Sequence, residues 1–147
     1  MTSRRSSAAG IVHANTFIIF GGYDTTGSGY LSTTEIVTEE GQVTPGPEMP
    51  AAVYLHSIAS LDAKTCILTG GSTSASDYSD VTWFFDNVSQ EFQQGPSLLT
   101  GRYLHASATL QDQDTKENIV AVVGGIDNGG SLDSTEFLRN GEWSPGN

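Results

Sequence analysis

Short apolar runs alternate along this chain with stretches rich in Gly, Ser, Thr and Asp, and nowhere does an apolar period of 3.6 persist over ten residues. The runs have the length of strands rather than helices. Three of them are nearly continuous and stop at a glycine pair: "FIIFGG" (17–22), "CILTGG" (66–71) and "VAVVGG" (120–125). Each is preceded by a segment of small or alternating residues, "SSAAGIV" (6–12), "YLHSIASL" (54–61) and "YLHASATL" (103–110). After each pair come "LSTTEIV" (31–37), "YSDVTWFF" (78–85) and "LDSTEFL" (132–138), then "GQVTPGP", "QEFQQGP" and "GEWSPGN", which put Val43, Phe92 and Trp143 at one position.

The pairs Gly21–Gly22, Gly70–Gly71 and Gly124–Gly125 stand 49 and 54 residues apart, so residues 1–147 read as one domain of three repeats, about 4–49, 50–98 and 99–147. Each repeat predicts four strands. The first is small and alternating, the second is the apolar run, and the last two form a hairpin across "EEG", "DNVS" or "NG". A four-stranded antiparallel sheet every fifty residues predicts an all-β chain and has the form of a β-propeller blade. Small first strands suit the crowded axis of such a fold, and second strands apolar on both faces suit burial between neighbouring sheets.

An apolar strand opening into glycines also begins many phosphate sites, but those need a helix amino terminus after the loop. Here "YLSTTEIV" follows the first pair, and the same pair recurs twice more. The glycines are therefore expected to serve backbone geometry at a tight strand exit.

Composition narrows the partners. Seventeen acidic against six basic side chains give a net charge of −11, which disfavours nucleic acid and anionic membranes and is easier to reconcile with a basic or metal-ion partner. No apolar run is long enough to span a bilayer, and the amino terminus does not read as a signal peptide, so the chain as written reads as soluble, with its compartment undetermined. Cys66 is the sole cysteine, excluding an internal disulfide or a Cys-cluster zinc site; within "TCILT" it reads as a buried thiol.

Other candidates are weaker. His56 and His105 hold equivalent places in two repeats and read as structural hydrogen-bonding groups, while His13 falls in a turn. The segment "DQDTKEN" (112–118) lacks the glycine and glutamate of an EF-hand and reads as a solvated loop. "RRSS" (4–7) offers phosphorylatable serines at a place where a structural role is expected, and Asn87 in "NVS" is a glycosylation sequon on a hairpin expected to be exposed, relevant if the protein is secreted.

Taken together the repeats resemble kelch repeats, whose pattern is R-x-x-H before the first strand, an apolar run ending in Gly-Gly, and a Trp in the fourth strand. The third copy carries Arg102, His105, Gly124, Gly125 and Trp143; the second carries His56, Gly70 and Gly71, with Val53 for the Arg and Phe92 for the Trp; the first carries Arg4, Gly21 and Gly22, with Ser7 and Val43. The resemblance implies a non-enzymatic protein-interaction module without a cofactor, binding through the loops after the second and fourth strands. Those loops hold Tyr23, Asp24, Tyr54, Tyr78, Arg102, Tyr103, Asp127 and Asn128, and Asp24, Glu48, Asp77 and Asp127 make that face acidic. Propellers close with four to eight blades, so three imply a fragment of a longer propeller, or self-association through open blade edges. The alternative is a piece of an extracellular or catalytic propeller such as galactose oxidase, whose copper site needs a His and Tyr cluster; here three His and one Cys are scattered.

Overall fold

The computed structural model describes residues 3–146; Met1, Thr2 and the Asn147 that closes the third repeat lie outside the described residues. In chain order the strands are β1 (Ala9–His13), β2 (Thr16–Phe20), β3 (Tyr23–Asp24), β4 (Gly29–Tyr30), β5 (Thr34–Thr38), β6 (Val43–Pro45), β7 (Ser57–Ser60), β8 (Thr65–Thr69), β9 (Thr82–Asp86), β10 (Glu91–Gln94), β11 (Ala106–Gln111), β12 (Asn118–Val123), β13 (Ile126–Asp127), β14 (Gly130–Ser131), β15 (Thr135–Arg139) and β16 (Glu142–Pro145). The chain is all-β, with no helix among the described residues. Three four-stranded antiparallel sheets follow one another, ordered β1-β2-β5-β6, β7-β8-β9-β10 and β11-β12-β15-β16. Two small ribbons, β3-β4 and β13-β14, extend the loops after β2 and β12.

The second strand of each sheet is its hydrophobic centre. In β8 all of Cys66–Thr69 is buried, and in β12 all of Ile119–Val122, whereas β16 alternates around Trp143. Two apolar clusters result. One joins the first and second sheets through Ile18, Phe20, Met49, Cys66, Leu68 and Phe85; the other joins the second and third through Ile67, Leu98, Val120, Val122, Leu138 and Trp143. Phe20 meets Phe85 edge-on at 5.2 Å, and the Trp143 indole N–H donates to the Pro96 carbonyl at 3.0 Å, fixing the last strand of the third sheet to the end of the second. The "NG" hairpin is a two-residue turn in which Asn140 (φ 51°) and Gly141 (φ 81°) both take positive φ, the backbone twist that antiparallel strands favour.

Neighbouring sheets touch first strand to first strand, β1 against β7 and β7 against β11. Small side chains permit this: the Ser57 and Ser107 hydroxyls share a 2.6 Å hydrogen bond, and the Thr109 hydroxyl donates to the Ser60 carbonyl. At the entry of each sheet one residue is left-handed, Ser7 (φ 52°), Leu55 (φ 57°) and Leu104 (φ 55°). This conformation costs an L-residue about 1–2 kcal/mol. It directs the Leu55 N–H onto the Ser7 carbonyl and the Leu104 N–H onto the Leu55 carbonyl, each at 3.0 Å.

The first two glycine pairs each fasten one sheet to the next. The Gly22 N–H donates to the Val53 carbonyl and the Gly71 N–H to the Arg102 carbonyl, both at 2.8 Å. A Cβ on Gly70 (φ 57°) would strike the Arg102 carbonyl and stand 2.8 Å from His105 Cε1; on Gly124 (φ 65°) it would come no closer than 3.6 Å, to the Leu132 carbonyl. The two sites thus share a backbone strain and differ in crowding. Gly124→Ala should cost about 1 kcal/mol from its φ alone, and Gly70→Ala at least about 2 kcal/mol more, read as separate losses in urea-unfolding midpoints. Equal losses would contradict the close approach of the next sheet's backbone to Gly70.

Candidate functional site

Because strand direction alternates in each sheet, the loops after the second strands and the segments entering the sheets emerge at one end. Backbone bridges knit them there: Ser6 to Tyr23, Tyr54 to Ser72 and Tyr103 to Ile126. Tyr23, Tyr30 and Tyr54 form a triangle with ring centroids 5.1–5.7 Å apart. Tyr78 and Tyr103 stack at 5.6 Å with planes 23° apart. In both groups a tyrosine entering one sheet lies on the loop of the sheet before it, so the rings are inter-sheet packing and half-exposed surface together. Tyr30 was not among the residues the sequence singled out. Its signal is the ribbon "YDTTGSGY", which pairs Tyr23 directly with Tyr30.

Carboxylates surround the rings. Asp24 accepts the Thr26 hydroxyl (2.7 Å) and N–H (2.8 Å), which hold its pKa below the ordinary carboxylate value. Asp127 accepts the Gly129 N–H at 2.7 Å, Glu48 the Ser32 hydroxyl at 2.7 Å, and Asp77 the Thr73 hydroxyl. Loss of water, then the Tyr54 and Tyr23 hydroxyls, raise the Tyr30 pKa, so this phenol stays neutral and can donate. Tyr78, Leu99, Thr100, Gly101, Asp127 and Asn128 line a shallow depression of about 340 Å³, with Leu99 56% exposed. A mixed lining with the Leu99 side chain and the Asp127 carboxylate can receive a side chain with an aliphatic stem and a cationic head.

Arg102 does not belong to this surface. Its side chain is 0% exposed: Nη1 donates to the Gly124 carbonyl (2.8 Å) and Nη2 to Ser134 Oγ (3.1 Å) and Glu136 Oε1 (2.6 Å). Glu136 also accepts the Leu99 and Thr100 N–H groups at 2.7 and 3.0 Å, so the pair ties the third sheet's entry segment down. In the first sheet the same place is taken by Arg5, not Arg4, which is exposed; Arg5 reaches the Gly21 carbonyl at 2.7 Å and Glu35 at 3.1 Å. The repeat pattern therefore shifts by one there, and Ala8, not Ser7, stands where His56 and His105 stand. Ser7 holds the left-handed entry corner and Ser6 Oγ donates to the Tyr23 carbonyl, giving "RRSS" structural contacts.

In the second sheet Val53 and Trp83 replace the arginine and glutamate. Arg102→Val alone should cost about 3–5 kcal/mol by leaving Glu136 buried and unpaired. Adding Glu136→Trp, the second sheet's own combination, should recover part of that loss; a double-mutant cycle with no coupling would contradict the equivalence.

Both motif histidines are buried. His105 Nε2 shares a 2.8 Å hydrogen bond with the Thr69 hydroxyl, and His56 sits against the first sheet with Cε1 near Gly21. Burial, aided by His105 for His56 and by Arg102 for His105, lowers both pKa values to about 4. These groups charge more readily unfolded than folded, so their contribution is complete above the unfolded pKa of about 6.5 and is lost as pH falls toward 4. Each accounts for up to about 3 kcal/mol. Urea midpoints should fall between pH 6.5 and 4, and His105→Gln should flatten that fall; an unchanged pH slope in the variant would contradict a buried neutral His105.

The remaining candidates are dispersed. Cys66 is buried, and burial pushes its thiol up to about 12. Asn87 is half-buried, its Nδ2 donating to the Lys64 carbonyl at 2.7 Å, so the nitrogen a glycan would use is engaged on a hairpin less open than expected. His13 ends β1, where its carbonyl accepts the Thr16 hydroxyl, and Asp112 caps its own loop by accepting the Asp114 and Thr115 N–H groups. Among the described residues no three His, Cys, Asp or Glu side chains are grouped to hold a metal ion, and no helix is long and apolar enough to cross a membrane. Compared with known proteins, the chain matches no family model and no curated protein.

Proposed function

We propose that the chain is a kelch-type propeller segment that acts as a non-enzymatic protein-interaction module, with the tyrosine and carboxylate face as its binding surface and a basic or mixed-charge partner. The observation that carries the reading is the gathering of five tyrosines, in one triangle and one stacked pair, at the end of the sheets where Asp24, Glu48, Asp77 and Asp127 also lie. Tyrosine supplies apolar area with a polar tip at little entropic cost, and a rim of one sign attracts partners of the other. Strand order, the glycine-pair exits and the first-strand contacts between sheets support the propeller part of the reading.

The same reading assigns self-association to the far edge of the third sheet. Val123 there is 50% exposed, while its counterparts Phe20 and Thr69, each covered by the sheet that follows, are 0% and 1% exposed.

Capture of partners by the immobilised chain should weaken as salt rises and should be lost in Tyr78→Ser/Asp127→Asn, which changes two side chains of this face and leaves the Gly71 N–H bond to the Arg102 carbonyl in place. Salt-resistant capture, capture unchanged by the variant, or copper-dependent oxidase activity of the protein would overturn the reading.

A further inference from the structure

The joint between the first and second sheets and the joint between the second and third are made of the same two backbone bonds. The N–H of the second glycine, Gly22 or Gly71, donates to the carbonyl of the entry residue, Val53 or Arg102. The N–H of the left-handed corner that follows, Leu55 or Leu104, donates to the carbonyl of the corner in the sheet before, Ser7 or Leu55. Each joint therefore has an exit half, which offers a glycine N–H and a corner carbonyl, and an entry half, which offers an entry carbonyl and a corner N–H.

One half of each kind is unmatched. At the third sheet the Gly125 N–H and the Leu104 carbonyl have no hydrogen-bond partner among the described residues, and at the first sheet the Arg5 carbonyl and the Ser7 N–H have none. Side chains repeat the pattern. Val123 is half-exposed at the third sheet, and Phe17 at the first is 41% exposed, whereas Cys66 and Val120, which also stand four residues before a glycine pair, are 0% exposed. A Cβ on Gly21 or Gly70 would strike the entry carbonyl of the next sheet, and on Gly124 it meets none.

We propose that the unmatched halves join between two copies of this chain, head to tail, with the third sheet of one copy receiving the first sheet of the other. Gly125 N–H then donates to the Arg5 carbonyl and Ser7 N–H to the Leu104 carbonyl across the copies, while Val123 and Phe17 become covered as their counterparts are in the joints within one chain. The inference rests on the self-association assigned above to the third sheet, and adds the surface that meets it and the number of copies. A head-to-tail contact either closes into a ring or runs on as a filament. Two copies bring six sheets, within the four to eight that close a propeller, whereas three bring nine. A closed pair with two identical joints is the result.

Sedimentation equilibrium should give twice the 15.5 kDa mass of the chain. Because each copy carries a net charge of −11, pairing should strengthen as salt rises, the opposite of the partner capture described above. Phe17→Glu and Val123→Glu should each sediment as single chains, and an equal mixture of the two should regain pairs, since one joint between unlike copies then holds neither glutamate. Where a glutamate variant fails to fold, copies carrying Ser7→Cys and copies carrying Leu104→Cys should cross-link on oxidation when mixed, and neither alone. A chain that stays single, a polydisperse filament, or a mixture that recovers no pairs overturns the proposal. A pair broken by Val123→Glu but not by Phe17→Glu means that two third sheets meet each other, which overturns the head-to-tail joint and leaves self-association at the third sheet standing.

Discussion

Everything in this structure depends on how closely the backbone of one sheet's entry segment approaches the exit of the sheet before it. At Gly21–Gly22 and Gly70–Gly71 the approach leaves no room for a Cβ, and the second glycine's N–H binds the carbonyl of Val53 or Arg102 in the next sheet. A β-sheet of four short strands has too little core to stand alone, so each must cover its neighbour. The glycine pair makes that covering possible at backbone distance, and the apolar second strands then bury their residues in the two inter-sheet clusters.

The entry corner solves one packing problem in two ways. Arg5–Glu35 and Arg102–Glu136 fill it with a buried ion pair that also satisfies glycine carbonyls and entry-segment N–H groups, while Val53 and Trp83 fill it with apolar volume. Buried ion pairs owe their worth to complete hydrogen bonding, since desolvation offsets most of the Coulomb attraction. The third sheet meets that condition through the Leu99 and Thr100 N–H groups. The second sheet needs no such bonds, but its shorter side chain at position 53 leaves space beside His56.

This division sets the surface chemistry as well. With the two paired arginines withdrawn into sheet entries, the loop end carries carboxylates and tyrosine hydroxyls, with the exposed Arg4 near enough to Asp24 to help lower its pKa. The tyrosines are held by one another across sheet boundaries, which limits their freedom before any partner arrives and lowers the entropy that binding must offset.

The strands of the three four-stranded sheets, their antiparallel order and the all-β class follow from the sequence, because apolar runs of strand length, glycine pairs and turn residues recur three times and each acts locally; the ribbons β3-β4 and β13-β14 lie where the sequence reads as loop. The equivalent tyrosines at 54 and 103 are visible too, though the edge-on contact of Tyr54 with Tyr30 and the stacking of Tyr103 on Tyr78 are not. Only the tertiary structure decides which of two adjacent arginines turns inward: Arg4 and Arg5 are alike in sequence, and the choice rests on the left-handed corner at Ser7 and on the position of Glu35, thirty residues away. The same holds for Arg102, whose residue type fits a binding surface and whose burial comes from Glu136 across the sheet. His56 and His105 look equivalent along the chain, but His105 bonds Thr69 of the sheet before while the position equivalent to Thr69 in the first sheet is Phe20, so their difference arises from neighbours that local sequence does not specify.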